Sequence, residues 1–345
     1  MTDLKGKRVF VGLSGGVDSA VSAALLQEAG ADVVGVFIKG WYPPGMPCTW
    51  SEDRRDAMRA AARLHIPFHT LDAAAEYKQG VIDYLLREYA LGRTPNPDVM
   101  CNREVKFGAF WRFALAHGAD FIATGHYVQN KDGIIMRGQD EAKDQSYFLW
   151  AVPKDVLQRT VFPVGALPKA KTRELAAKFN IPQAQKKDSQ GICFLGSISV
   201  DDFLKSEIGS ERGNAVDEAG EVVGTHDGAV LATLGERVAL ENALPGPWYV
   251  IAKDMKANTL TVSHDHGSLQ KEEVITLLET NWLSTIEEGE VVHAQYRYHG
   301  EVIEGVLDSS KSMFTPLKPL TDPIAPGQSL VFYRSNELLG GGIIA

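Results

Sequence analysis

The passage from Phe10 to Val21, FVGLSGGVDSAV, restricts this chain more than any other. An apolar run breaks at a serine and two glycines and resumes with helical spacing, the mark of a strand turning sharply into a helix. Similar units follow. Arg8–Leu13 reads as a buried strand, Asp18–Ala29 as a helix stopped at Gly30, and Val33–Ile38 as the next strand. A helix at Glu52–Leu64, a strand at Phe68–Leu71 and a helix near Tyr77–Leu91 continue the alternation. CNREVKFGAFWRFALAHG predicts a helix that starts at an Asn102 cap, buries Phe107, Phe110, Trp111 and Ala114, and stops at Gly118. ADFIATGHY adds another strand and turn. Repeated βα units require an α/β fold, with a parallel sheet covered on both faces and ligands at the carboxyl ends of its strands.

The pattern changes after about Ser206. GNAVDEAGEVVGTHDG, GPWYVIAKDMKANTLTVS, VVHAQYRYHGEVIEGVL and QSLVFYRSNELLGGGII are short alternating strands separated by Gly, Asp and Asn turns. They predict two small β-rich modules dividing near Gly267–Lys271. The expected domains are therefore 1–206, 207–269 and 270–345. LGGGII reads as a closing strand and not as a phosphate loop, because no helix follows it.

Composition narrows the setting. No run approaches the roughly 18 apolar residues of a membrane span, and MTDLKGKRVF lacks the long apolar core of a secretory signal. Cys48, Cys101 and Cys193 show no CxxC spacing, so free thiols in a reducing cytoplasm are expected, with neither a disulfide scaffold nor a structural zinc. A net charge of −9 argues against a generic nucleic-acid binder. Yet Lys169, Lys171, Arg173, Lys178, Lys186 and Lys187 cluster against Glu174 alone. That stretch is either a solvated helix face or a contact for RNA phosphate. His264-Asp265-His266 reads as a β-turn, since no further ligands stand at metal-binding spacing.

In Ser14-Gly15-Gly16, glycines let backbone N–H groups converge on phosphate oxygens at a helix N-terminus. The loop is neither G-x-x-x-x-G-K-[ST] nor G-x-G-x-x-G. SGGxDS after a strand resembles the PP-loop ATP pyrophosphatases, which grip departing pyrophosphate while AMP goes to the substrate. The cysteines then discriminate among such enzymes. Cys101, in GRTPNPDVMCNREVKF, stands just before the expected Asn102 cap, where a helix N-terminus favours thiolate. Cys193, in QKKDSQGICFLG, reads as an accessible loop thiol near positive charge.

With these motifs together, the chain resembles the tRNA-specific 2-thiouridylases, which convert the wobble uridine of certain tRNAs to 2-thiouridine. The resemblance runs nearly end to end through GLSGGVDS, SEDRRDAMRAAARLHIP, GRTPNPDVMCNREVKF, ADFIATGHY, KDQSYFL, KKDSQGICF, GPWYVIAKD and PGQSLVFY. It implies a PP-loop domain, a small central domain and a C-terminal β-barrel. It implies Cys101 as nucleophile and Cys193 as persulfide carrier; in the adenylation and sulfur-transfer chemistry that follows, Asp98 is the candidate for orienting the base or moving its proton. ATP, carrying Mg²⁺ and with no tightly bound metal, is implied at Gly12, Leu13, Ser14, Gly15, Gly16, Val17, Asp18, Ser19, Ile38 and Gly125. The target base is implied at Asn96, Pro97 and Asp98, and wider tRNA contacts at His126, Lys143, Asp144, Gln145, Arg297, Tyr298 and Gln328. An upstream persulfide donor is the other implied partner.

The chain departs from the family pattern at four places. Ile38 replaces a more usual Met, Gln190 stands where Thr is common, LGERVALEN replaces a more basic segment, and His299 stands where Arg is common. The last two remove positive charge, which bears on the central-domain tRNA contacts. Two rivals share some of these features. A small-molecule synthetase would need an amide-donor or amino-acid site, and a non-catalytic RNA-binding protein would not need SGGVDS with two loop cysteines.

Overall fold

The computed structural model describes residues 3–43, 50–187, 198–242, 245–265, 273–320 and 323–345. Its first region is built on five parallel strands: β1 (Arg8–Gly12), β2 (Asp32–Lys39), β3 (Phe68–Asp72), β4 (Phe121–Ala123) and a short strand, Thr160–Val161. Their order is β3-β2-β1-β4 and then Thr160–Val161. The chain runs outward from β1 to β2 and β3, then returns to β1's other side at β4. The direction of winding reverses between β1 and β4, which opens a crevice at their carboxyl ends.

Period-two alternation assigns the strand residues to two cores. Phe10, Val34 and Val36 face the helical run from Ala74 to Ala90 and the continuous helix from Pro97 to Ala116. Val9, Val11, Val33 and Phe37 face α1 (Val17–Glu28), α2 (Trp50–Leu64) and the helix Lys169–Lys178. Both faces are covered, as near-continuous apolar strands require.

The central region forms a five-stranded sheet from residues between Gly213 and Ser263 around Ala215, Trp248, Val250, Leu260 and Val262. Six antiparallel strands between Ile275 and Ile344 close into a barrel, because Ile275–Trp282 pairs with both Met313–Pro316 and Glu337–Ile344. LGGGII is part of that closing strand. The expected division near Gly267–Lys271 lies outside the described residues.

One element crosses the sequence-based partition. The hairpin Val128–Lys131 and Ile134–Arg137 leaves the first region and pairs, at Met136, with Glu337 of the barrel. Arg137 lies over the Tyr333 ring, 3.5 Å from its centroid, and donates to Asp144 and Gln295. Asn281 Nδ2 donates to the Trp150 and Val152 carbonyls. Among the described residues, no helix is long and apolar enough to cross a membrane.

Candidate functional site

The SGGVDS loop leaves β1 in the crevice beside β4. Ser14 N donates to Ser19 Oγ at 3.2 Å and Gly16 N to Ser14 Oγ at 3.3 Å, so the two serines set the turn. Gly15 has φ +79°, and a Cβ there would stand 2.3 Å from the Asp53 carbonyl oxygen. Gly125, just past β4, is also tight, since a Cβ would meet Ser19 N at 2.7 Å. The Gly16 N-cap receives no side-chain cap, which leaves the N-terminus of α1 to an external acceptor. Ile38, at the end of β2, and Phe110 border Gly12, and Leu13 and Val17 are buried beneath the loop.

Two lysines from distant sequence reach this loop. Lys169 Nζ donates to both Asp18 carboxylate oxygens, at 2.7 and 2.8 Å, and its side chain is only 13% exposed. The Tyr127 hydroxyl donates to the same carboxylate. Lys186 Nζ donates to the Gly15 carbonyl at 3.2 Å and to Asp53 and Asp56 on α2. Burial alone would lower the Lys186 pKa, but the hydrogen bonds to Asp56 and Asp53 outweigh it and the net direction is upward. Within the rest of the basic stretch, Lys171 pairs with Glu174, Lys178 with Glu28, and Arg173 donates to the Ala184 and Lys186 carbonyls. Lys169 and Lys186 are thus drawn into tertiary pairs at the loop, while Lys171, Lys178 and Lys187 stay on the exposed surface.

The second cluster is the entry to the helix bearing Cys101, and its start differs from expectation. Asn96 is the cap: its Oδ1 accepts from Asp98 N at 3.1 Å and Val99 N at 3.3 Å, with Pro97 at the first helical position. Asn102 is buried within the helix and donates through Nδ2 to the Asp98 carbonyl at 3.0 Å. Cys101 therefore lies one turn inside the helix, 5% exposed, and not at its N-terminus. The Asn-Pro pair was the sequence signal for this cap. From Cys101 to Ala109 the helix takes π spacing, a distortion often found at functional sites.

Asp98 is partly buried, and desolvation raises its pKa, with nearby Lys106 pulling the other way. His126 is 8% exposed, with Nδ1 2.8 Å from Thr124 Oγ1 and its ring against Phe107 and Phe162. Burial, assisted by Lys106, pushes its pKa down to about 3, so the imidazole is neutral at physiological pH. The Lys106 charge thus acts on both Asp98 and His126.

Comparison with known proteins settles kinship. Residues 7–197 match the domain family described as tRNA methyl transferase HUP domain. Residues 201–264 match its PRC-barrel domain and 272–344 the aminomethyltransferase beta-barrel domain. The tRNA-specific 2-thiouridylase MnmA of Stutzerimonas stutzeri is 42% identical over 357 residues, spanning 98% of this chain and 94% of that protein. The protein of the same name from Enterococcus faecalis is 40% identical, spanning 100% of this chain and 96% of its own. That from Akkermansia muciniphila is 41% identical, spanning 97% and 98%. The chain belongs to the tRNA-specific 2-thiouridylase family.

The residues implied by that family fall into two groups. Gly12–Ser19, Ile38 and Gly125 meet at the crevice described above. Asn96, Pro97 and Asp98 form the helix entry, which the other two regions hold in place. Thr94 N donates to the Pro326 carbonyl at 2.8 Å, Gln328 Nε2 donates to the Thr94 carbonyl at 2.6 Å, and Thr94 Oγ1 meets Thr233 Oγ1 at 3.2 Å. Tyr147 OH donates to the Ser329 carbonyl at 2.9 Å and also hydrogen-bonds Asn96. Arg297 donates to the Pro323 carbonyl, and half-exposed Tyr298 packs on Phe148, with ring centroids 4.5 Å apart.

The Lys143-Asp144-Gln145 segment is mostly turned inward. Asp144 is 6% exposed, and its oxygens accept from Gly138 N, Ser146 N, Ser146 Oγ and Arg137. Gln145 accepts from Tyr127 N, while Lys143 is half-buried. Cys193, Cys48, Gln190 and His266 lie outside the described residues. His264 stacks on Trp248 with centroids 3.7 Å apart, and the described residues contain no cluster of three or more metal-ligating side chains.

Sequence reasoning missed Lys169 and Lys186 at the loop, Tyr127 on Asp18, and Tyr147 with Ser329 at the helix entry. Tyr127 and Tyr147 stood inside the quoted motifs ADFIATGHY and KDQSYFL. Nothing in the sequence tied the lysines to residues some 150 positions earlier.

Proposed function

We propose that this protein catalyses ATP-dependent 2-thiolation of the wobble uridine of tRNA, releasing AMP and pyrophosphate. Full-length kinship with the 2-thiouridylases supports the reaction. The observation that carries the reading is a phosphate loop at the β1/β4 crevice, on a sheet packed against the helix that presents Asp98 and Cys101.

The uridine C2 oxygen attacks the α-phosphate of ATP, held on the loop N–H groups, and pyrophosphate leaves with the Pα–O bonding pair. This converts a poor leaving group into AMP and splits one hard displacement into two easier ones. Mg²⁺ would supply charge neutralisation across the phosphates and take most of its ligands from phosphate and water. Cys193, loaded as a persulfide by an upstream donor, supplies the sulfur. Either its terminal sulfur attacks C2 while Cys101 takes the Cys193 sulfur, or Cys101 attacks the persulfide first and frees sulfide. Both routes expel AMP, reduce the transferred sulfur and leave a Cys101–Cys193 disulfide, which an external dithiol reopens.

Asp98 is the group placed to orient the base or carry its N3 proton, and its raised pKa suits proton exchange. Asp144 and Gln145 act by positioning: they fix Arg137 and Tyr127, and with them the barrel. Exposed Arg297 and the Tyr298 ring are suited to RNA phosphate and base stacking. A cytoplasmic location accords with thiol chemistry.

Labelled ATP tests the reading. Unmodified tRNA should stimulate pyrophosphate release, and tRNA nucleosides from a deletion strain should lack 2-thiouridine by mass spectrometry. Stimulation by an amino acid in place of tRNA would point to a synthetase and sink the proposal.

A further inference from the structure

The barrel strand Ile275–Trp282 pairs Leu278 with Ile343 and Asn281 with Gly341, so it holds one residue more than its partner between those pairs. This is a β-bulge, a device that re-aims side chains. Glu279 stands in it with φ +46°, a left-handed conformation that glycine adopts freely and glutamate does not. The opposite strand, LGGGII, makes room for it. A Cβ at Gly340 would stand 2.1 Å from the Asn281 carbonyl oxygen, and one at Gly342 would stand 2.9 Å from Thr280 Cγ2. A strained residue of this kind persists where its surroundings hold it.

The bulge aims two side chains at the first region. Asn281 Nδ2 donates to the Trp150 and Val152 carbonyls. Glu279 Oε2 accepts from Arg103 Nη1 at 3.0 Å, and Arg103 Nε donates to Glu104 at 2.7 Å. Arg103 stands two residues past Cys101, in the π-spaced part of that helix. Arg103 and Glu279 meet at the wall of a cavity of about 350 Å³, lined also by Glu76, Gln79, Tyr84, Arg87 and Arg112. Barrel and helix are therefore joined here by side-chain ends and not by close apolar packing.

Resting on the thiolation reading above, we propose that Arg103 is a positioning residue for sulfur transfer. Through Glu279 it ties the helix bearing Cys101 to the barrel and fixes where the Cys101 thiol stands. The pair is partly exposed, Arg103 by 29% and Glu279 by 52%, so it adds little to stability. Its part is geometric. The helix entry at Asn96 has its own links to the barrel, while the stretch just past Cys101 is held by this pair.

In the full-length protein, Arg103→Met should slow thiolation of tRNA about tenfold, inside the roughly 100-fold cost of an ångström-scale misplacement. Pyrophosphate release should stay within about twofold, because the loop and the helix entry keep their contacts. A second readout needs no tRNA. With Cys48→Ser and Cys193→Ser leaving Cys101 as the one cysteine, iodoacetamide should alkylate it about threefold faster in Arg103→Met, as the released helix opens locally. Glu279→Gly should lose thiolation to the same extent while its melting temperature holds or rises, since glycine takes the left-handed conformation without strain. Exchanging the charges, Arg103→Glu with Glu279→Arg, keeps one guanidinium between two carboxylates and should restore most of the rate.

Wild-type thiolation and alkylation rates in both Arg103→Met and Glu279→Gly overturn the proposal. So does a loss in Glu279→Gly that follows a lowered melting temperature, which would trace it to folding. An equal loss of pyrophosphate release also overturns it, since Arg103 would then serve base binding. If the wild-type protein leaves tRNA without 2-thiouridine, the thiolation reading fails while the alkylation comparison still decides Arg103.

Discussion

The phosphate loop and the helix entry at Asn96–Cys101 are built in opposite ways. The loop is shaped by near neighbours: Ser14, Gly16 and Ser19 bond one another across five positions, and Gly15 and Gly125 admit the backbone where a side chain would collide. Its fine geometry is local, and the parallel sheet behind it is rigid. The helix entry has a local cap in Asn96, but its approach is gripped by Thr233, Ser329, Pro326 and Gln328 from two other regions. The proposed nucleotide end takes its contacts from the first region alone. The proposed base end takes contacts from all three regions, so barrel placement is expected to matter for thiolation.

The largest effect expected is at the base end. Cys101→Ser should adenylate tRNA and accept persulfide sulfur but give no thiouridine, whereas Cys193→Ser should adenylate and carry no transferable sulfur. Cys48→Ser should behave nearly as wild type. Mass spectrometry of nucleosides with a pyrophosphate assay reads all three, and full thiolation by Cys101→Ser would remove the chemical half of the comparison.

Asp18→Ala should do the reverse, cutting tRNA-dependent pyrophosphate formation about 100- to 1,000-fold while Cys193 still takes up persulfide sulfur. Normal adenylation by this variant would mean the loop is not the nucleotide end.

Tyr147→Phe sharpens the contrast at smaller scale. It deletes the buried bond to Ser329 and the link to Asn96, which should lower stability by about 1–3 kcal/mol. Thiolation should fall several-fold with ATP affinity unchanged. An equal loss of ATP affinity would show that the two ends are not separately built.

The smallest effect concerns His126. Its folded pKa lies near 3, below the ordinary 6.5, so the unfolded chain binds the extra proton between those values. Stability is therefore full above pH 6.5 and lost as pH falls toward 3, by roughly 2 kcal/mol from this group between pH 7 and pH 5. His126→Gln should flatten that part of the melting-temperature profile, as calorimetry would show. An unchanged slope would mean the histidine is not buried in neutral form.

Sequence alone determined the features that depend on contiguous residues. These are the βα alternation, the turn that SGGVDS must make, the β-rich character of the last two regions and LGGGII as a closing strand. It misplaced the cap at Asn102 because it weighed the helix by its apolar face and overlooked Asn96-Pro97, where side-chain capping and a fixed proline φ set the start.

Tertiary structure decided what depends on meetings between distant residues. The hairpin Val128–Arg137 joins the barrel because its edge finds Glu337, which no periodicity announces. Asp144 is interior because Arg137 and Ser146 satisfy its charge. The basic stretch closes on Asp18, Glu28, Asp53 and Asp56 because ion pairs form wherever folding brings opposite charges together, irrespective of their separation along the chain. Hydrophobic periodicity is a local property and can be read along a sequence; charge pairing and domain docking are set only by three-dimensional proximity.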